Sequence, residues 1–126
     1  MILQEILGSS CLGTIATIKD EECLTKLQFF MEYNRPFYNQ FKKVIVSLNW
    51  LEDTKPEFVA EYKHIWAINV PNALFLSNST NRGHMFGTID LEESIFKYVR
   101  ENLRDVRYLW KTMDDVLLSE QMFSTP

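Results

Sequence analysis

The chain has 126 residues, of which 46% are apolar and 13% aromatic, enough for one domain with a real core and too apolar for a disordered chain. Its 13 basic and 17 acidic side chains leave a net charge of −4, which excludes the basic surplus that general nucleic-acid binding relies on. With 4 Gly and 4 Pro, it is neither collagen-like nor a low-complexity linker.

No apolar run approaches the ~20 residues that a spanning helix needs, so no membrane span is expected. The N-terminal Met-Ile-Leu-Gln-Glu-Ile-Leu lacks a basic region and carries Glu5 early, which suits a packed segment rather than a signal peptide. Cys11 and Cys23 form neither a metal-ligand pattern nor a disulfide framework, so a reduced, cytoplasmic setting is expected, with both thiols as small buried hydrophobes.

Strands and helices alternate along the chain. Leu12 to Ile18 is a β-branched apolar run suited to a strand buried on both faces. Asp20 is positioned to cap the following helix, with Glu21 and Glu22 in its first turn. Leu24, Leu27, Phe30 and Met31 share one face of that helix, which is expected to end near Pro36. Lys43 to Leu48 forms a second strand, and Asn49 and Trp50 lead into a turn. Thr54 and Glu57 have capping-box spacing, with Pro56 in the first turn of a helix whose apolar face is Phe58, Val59, Tyr62, Ile65 and Trp66. Ala73 to Ser77 is a third strand. Asn78 to Gly87 is polar and glycine-bearing and predicts a loop, after which Asp90 and Glu93 open a helix with Leu91, Ile95, Val99 and Leu103 inward. Val106 to Lys111 alternates as a fourth strand and runs into Asp114 and Asp115.

This pattern predicts a single α/β domain over residues 1–126, three-layered (α/β/α), with a mostly parallel sheet. In the nucleotide-binding version of such sheets the strand order is 3-2-1-4, and ligands sit beyond the carboxyl ends of the strands where that order reverses. Thr17 to Asp20 and Thr112 to Asp115 should then flank one crevice. Two adjacent carboxylates at the end of an apolar strand repel each other and lose hydration unless a cation or donors compensate. A hard cation would do so, because Mg²⁺ is usually held by one or two carboxylates plus substrate phosphates. The competing reading makes one Asp the cap of a helix starting at Val116 and leaves the other in solvent.

The order of these features resembles the nucleotide-binding half of the GT-A glycosyltransferases, the nucleotide-diphospho-sugar transferase superfamily. The residues that carry the resemblance are Thr17, Ile18 and Lys19 after the first strand and Asn49 after the second. Asn81-Arg82-Gly83 matches an Asn-x-Gly turn after the third, and Asp114-Asp115 stands where the family has its acidic motif. The resemblance implies a truncated GT-A fold. It also implies a nucleotide-diphospho-sugar bound through Mn²⁺ or Mg²⁺, with Asp115 on the metal and Asp114 on the metal or ribose. Thr17, Ile18, Lys19 and Asn49 would hold the base, and Asn81, Arg82 and Gly83 would lie near the diphosphate. Residue 112 is Thr rather than Asp, so only the paired form of the motif is present, and His84-Met85-Phe86-Gly87 replaces the family's Arg-Asn. No catalytic base is identified, since in the family it lies in an acceptor-binding half that follows the acidic motif. Catalysis would be hexosyl transfer completed by a further part or a partner chain. The alternative is a non-catalytic interaction module of the same fold, dimeric through an apolar flank including Val116, Leu117, Leu118, Met122 and Phe123.

Overall fold

The computed structural model of the chain describes residues 2–78, 81 and 83–118. In chain order the elements are α1 (Leu3–Gly8), β1 (Ser10–Ile18), α2 (Glu21–Tyr38), β2 (Lys43–Trp50), α3 (Pro56–Asn69), β3 (Ala73–Ser77), α4 (Gly83–Asn102) and β4 (Tyr108–Met113). The four strands form one sheet in the order β3-β2-β1-β4. Every pairing is parallel, with Thr17 opposite Asn49 on β2 and Ile15 opposite Met113 on β4.

The apolar pattern explains the layering. Side chains of β1 alternate between two faces. Leu12, Ala16 and Ile18 join Val44, Val46, Leu48, Tyr38, Tyr62 and Trp66 in the core beneath α2 and α3. Cys11 and Ile15 join Ile45, Leu91 and Ile95 beneath α4. The chain steps from β1 to β2 to β3 in one direction and returns past β1 to reach β4. Crossovers of constant hand therefore place α2 and α3 on one face and α4 on the other. Gly13 lets α4 settle on the sheet, because a Cβ there would stand 3.0 Å from Ile95 Cγ2.

Several local expectations are corrected. α2 runs through Pro36 to Tyr38. Proline this close to a helix end forfeits only one main-chain bond, and the burial of Phe37 and Tyr38 more than offsets it. Thr54 and Glu57 do not form a capping box. The N-cap is Lys55 and makes no side-chain capping bond, while the Thr54 hydroxyl donates to the Ile18 carbonyl at 2.9 Å and accepts from the Leu51 N–H at 3.1 Å. Asp20 occupies the N-cap position of α2 without a side-chain capping bond.

The largest correction concerns residues 83–89, which are helical, so that Asp90 and Glu93 lie inside α4 rather than at its start. The inner stripe extends backwards through Gly87 to meet Leu91 and Ile95 at helical spacing. The chain enters the helix through an Asx turn in which Asn81 Oδ1 accepts from the Gly83 N–H at 2.9 Å. Gly83 has φ of +90°, a conformation that side chains resist. β4 begins at Tyr108, two residues later than Val106, and runs to Met113. No helix starts at Val116; the backbone turns at Asp114–Asp115 and continues irregularly to Leu118. Among the described residues, no helix is long and apolar enough to cross a membrane.

Candidate functional site

A cavity of about 470 Å³ opens at the carboxyl ends of β1 and β4. This is where the strand order reverses, because β1 stands between β2, reached next in the chain, and β4, reached last. Thr17, Lys19 and Asp20 from the β1–α2 junction face Met113, Asp114 and Asp115 from the end of β4. Asn81 and Gly83 bring the N-terminus of α4 to the same cavity, and Ile15, Ala16, Leu51 and Leu91 supply apolar surface. The crevice inferred from strand order is therefore present, although Thr112 does not line it.

The other residues expected here are distributed unevenly. Ile18 is completely buried in the core beneath α2 and α3, so its side chain is unavailable to a ligand. Asn49 is 1% exposed and does not line the cavity; its Oδ1 accepts from the Thr17 hydroxyl at 2.5 Å. Asn49 thus fixes the rotamer of Thr17, which does line the cavity. Arg82 lies outside the described residues, as do Met122 and Phe123. Cys11 is buried as expected, with its thiol pushed up to about 12 by burial. Cys23 is only half-buried and lines the cavity.

The acidic pair is split into two environments. Asp115 is exposed at the cavity mouth. Asp114 lies deeper, and its Oδ2 accepts a hydrogen bond from the Tyr62 hydroxyl at 2.7 Å. Burial raises the Asp114 carboxyl above its ordinary value, the Tyr62 bond opposes that shift, and the Asp115 charge adds to it. Burial, then the neighbouring Asp114 charge, holds the Tyr62 phenol well above its usual range, so Tyr62 stays a donor.

Lys19 and Lys26 are outnumbered at the cavity by Asp20, Glu22, Asp114 and Asp115. Lys26 is also shared with Glu22, one helical turn earlier, at 3.8 Å. An anion entering alone therefore meets net repulsion apart from the N-terminus of α4, where the helix dipole favours it. Among the described residues, no group of three or more His, Cys, Asp and Glu is placed to hold a metal. The donors present are Asp115 and the second oxygen of Asp114, which suits a hexahydrate-type ion that keeps water and takes further oxygens from a phosphate.

Sequence reasoning missed Tyr62 and Asn34 as polar participants, and gave Thr54 a capping role where it instead bonds Ile18 and Leu51. Tyr62 was legible only as part of an apolar helical face. Asn34 continues the stripe of Leu27, Met31 and Tyr38, and a lone polar side chain on such a stripe is the signal of a buried partner. No protein-family model, curated protein or solved structure matches this chain.

Proposed function

We propose that the chain binds a nucleotide-diphospho-sugar, with a divalent cation between the acidic pair and the diphosphate. The observation that carries this reading is the position of the cavity. It lies at the sheet's topological switch point, with Asp114 and Asp115 from β4 and the N-terminus of α4 lining it together. The GT-A resemblance supports the same reading through the order of its motifs. The excess of carboxylates over ammonium groups supports the requirement for a cation, since the diphosphate would otherwise be repelled.

Each residue then has a defined task. Asp115, exposed, coordinates the cation, and Asp114 offers its free oxygen to cation or ribose while Tyr62 holds the other. Thr17, oriented by Asn49, and Lys19 contact the nucleoside. Asn81 and Gly83 orient the first turn of α4 towards the diphosphate. The apolar surface of Ile15, Ala16 and Leu91 receives the base or sugar face. A bound Mn²⁺ or Mg²⁺ supplies charge neutralisation of the diphosphate, the Lewis-acid contribution that departure of a nucleoside diphosphate requires. No residue is assigned as catalytic base, and the proposal for this chain is donor binding.

Thermal-shift measurements with UDP, GDP and their sugars, with and without Mn²⁺, test this class of ligand. A cation-dependent rise in melting temperature with a diphosphate nucleotide supports it; no rise with any of them at millimolar concentration refutes it.

A second reading is favoured by a specific surface. Met85, Ile89 and Phe96 are 64%, 49% and 50% exposed and share one outer side of α4. Val116 and Leu117 are also exposed, while Leu118 packs on the core. On this reading the fold is a non-catalytic module that dimerises through apolar surface. Sedimentation shows whether it dimerises, and cation-dependent nucleotide binding separates the two readings.

A further inference from the structure

The chain turns at the acidic pair after β4, and a buried side chain 82 positions before Val116 hydrogen-bonds to the stretch that follows. Asn34 is completely buried on α2. Its Nδ2 donates to the Val116 carbonyl at 2.6 Å, and its Oδ1 accepts from the Leu118 N–H at 2.8 Å. One side-chain amide thus meets the C=O and N–H of residues two apart, much as a neighbouring strand would. The second proton on Nδ2 goes to the Tyr38 hydroxyl at 3.2 Å. The orientation of the amide is determined, since a flip would set oxygen against the Val116 carbonyl and NH₂ against the Leu118 N–H.

Tyr62 anchors the same segment from the other side of the pair, through Asp114 Oδ2 at 2.7 Å. Asp115 is therefore an exposed residue between two points tied to buried side chains, Asp114 held by Tyr62 of α3 and the main chain of Val116 and Leu118 held by Asn34 of α2. A buried amide on an apolar stripe costs stability unless its hydrogen bonds are made, and here they are all made to this segment or to Tyr38. We propose that Asn34 is a positioning residue for the acidic pair: it clamps residues 116–118 to α2 so that Asp114 and Asp115 are held at the cavity, with Tyr62 as the second anchor. The role rests on the donor-site reading above. Tyr62 bonds Asp114 directly, and the loss of such a partner of a ligating carboxylate commonly changes ion affinity by about 10–100-fold. Asn34 acts one step further out, through the main chain of Val116 and Leu118.

The test uses the full chain as wild type, Asn34→Ala, Tyr62→Phe and Asp115→Asn. Two quantities are measured: hydrogen exchange of the segment 114–118 with no ligand, and affinity for UDP in saturating Mn²⁺ by calorimetry. In Asn34→Ala, exchange is expected to accelerate in 114–118 while β1 and β2 stay protected, and UDP affinity to fall at least tenfold. Asp115→Asn should lose affinity with exchange in 114–118 unchanged. Tyr62→Phe, which removes one oxygen atom, should weaken UDP binding about tenfold or more and decides the matter if Asn34→Ala fails to fold. Wild-type binding with affinity retained within twofold in Asn34→Ala, or in Tyr62→Phe where Asn34→Ala is unfolded, overturns the positioning role and leaves the donor site standing. Unchanged exchange of 114–118 in folded Asn34→Ala overturns the clamp itself. Absence of binding by the wild type to both UDP and GDP overturns the donor site and the positioning role together, and where GDP alone binds it replaces UDP throughout the comparison.

Discussion

The hydroxyl of Tyr62, on a helix covering one face of the sheet, donates to Asp114 Oδ2 at 2.7 Å from a fully buried position. One carboxylate of the acidic pair is thereby fixed to the scaffold while its neighbour Asp115 remains exposed. The division gives the pair two separable properties, a stability cost at Asp114 and a solvent-accessible carboxylate at Asp115.

Because burial raises the Asp114 carboxyl, the folded chain holds that proton more tightly than the unfolded chain does. The stability this contributes is fully present below the ordinary value of 3.8 and is lost as pH rises through the raised folded value. Asp114→Asn keeps an acceptor for Tyr62 and removes the charge. In a chelating buffer it is expected to melt above wild type near neutral pH, with the advantage disappearing below pH 3.8. Melting curves across that range check the sign; a variant that melts lower at neutral pH contradicts it.

Thr54 and Glu57 separate two accounts of the start of α3. The Thr54 hydroxyl bridges the Ile18 carbonyl and the Leu51 N–H, so Thr54→Val should cost about 1–3 kcal/mol by stranding both. Glu57→Ala breaks no capping box and should stay within about 0.5 kcal/mol of wild type. Urea denaturation measures both, and a larger loss in Glu57→Ala reverses the assignment.

Gly13 is where α4 meets the sheet most closely. Gly13→Ala would press a methyl against Ile95 Cγ2 and Cδ1 at 3.0 and 3.1 Å, and overpacking of this kind costs about 1–3 kcal/mol. Combining it with Ile95→Ala should give less than the sum of the two losses, because each change makes room for the other. Additive losses in denaturant melts would show that the contact is not the cause.

How much of this was legible from residues alone depended on the range of the interactions. The crevice was legible once the 3-2-1-4 order of nucleotide-binding parallel sheets was taken as the premise, because a β-branched run ending in Thr17-Ile18-Lys19 and an alternating run ending in Asp114-Asp115 mark the ends of β1 and β4 by local pattern. The start of α4 was not. Asn81, Gly83 and Gly87 have loop composition, and only the continuation of the Leu91–Ile95 stripe through Gly87 makes the segment helical. Asn34 was hidden because its partners are main-chain atoms of Val116 and Leu118, which carry no side-chain signature. Asn49 was legible as a polar residue at a strand end, but its orientation towards Thr17 depends on the β1–β2 register.

Under the proposed function the acidic pair binds a nucleoside diphosphate through a divalent cation. Calorimetric titration of UDP into the full chain, with Mn²⁺ and then with chelator, tests it most directly when repeated on Asp115→Ala. Saturable binding that requires Mn²⁺ and disappears in the variant is expected, together with about 2.7 kcal/mol of added stability at 100 times the dissociation constant. Binding of equal strength with chelator, or an undiminished affinity in Asp115→Ala, would contradict it.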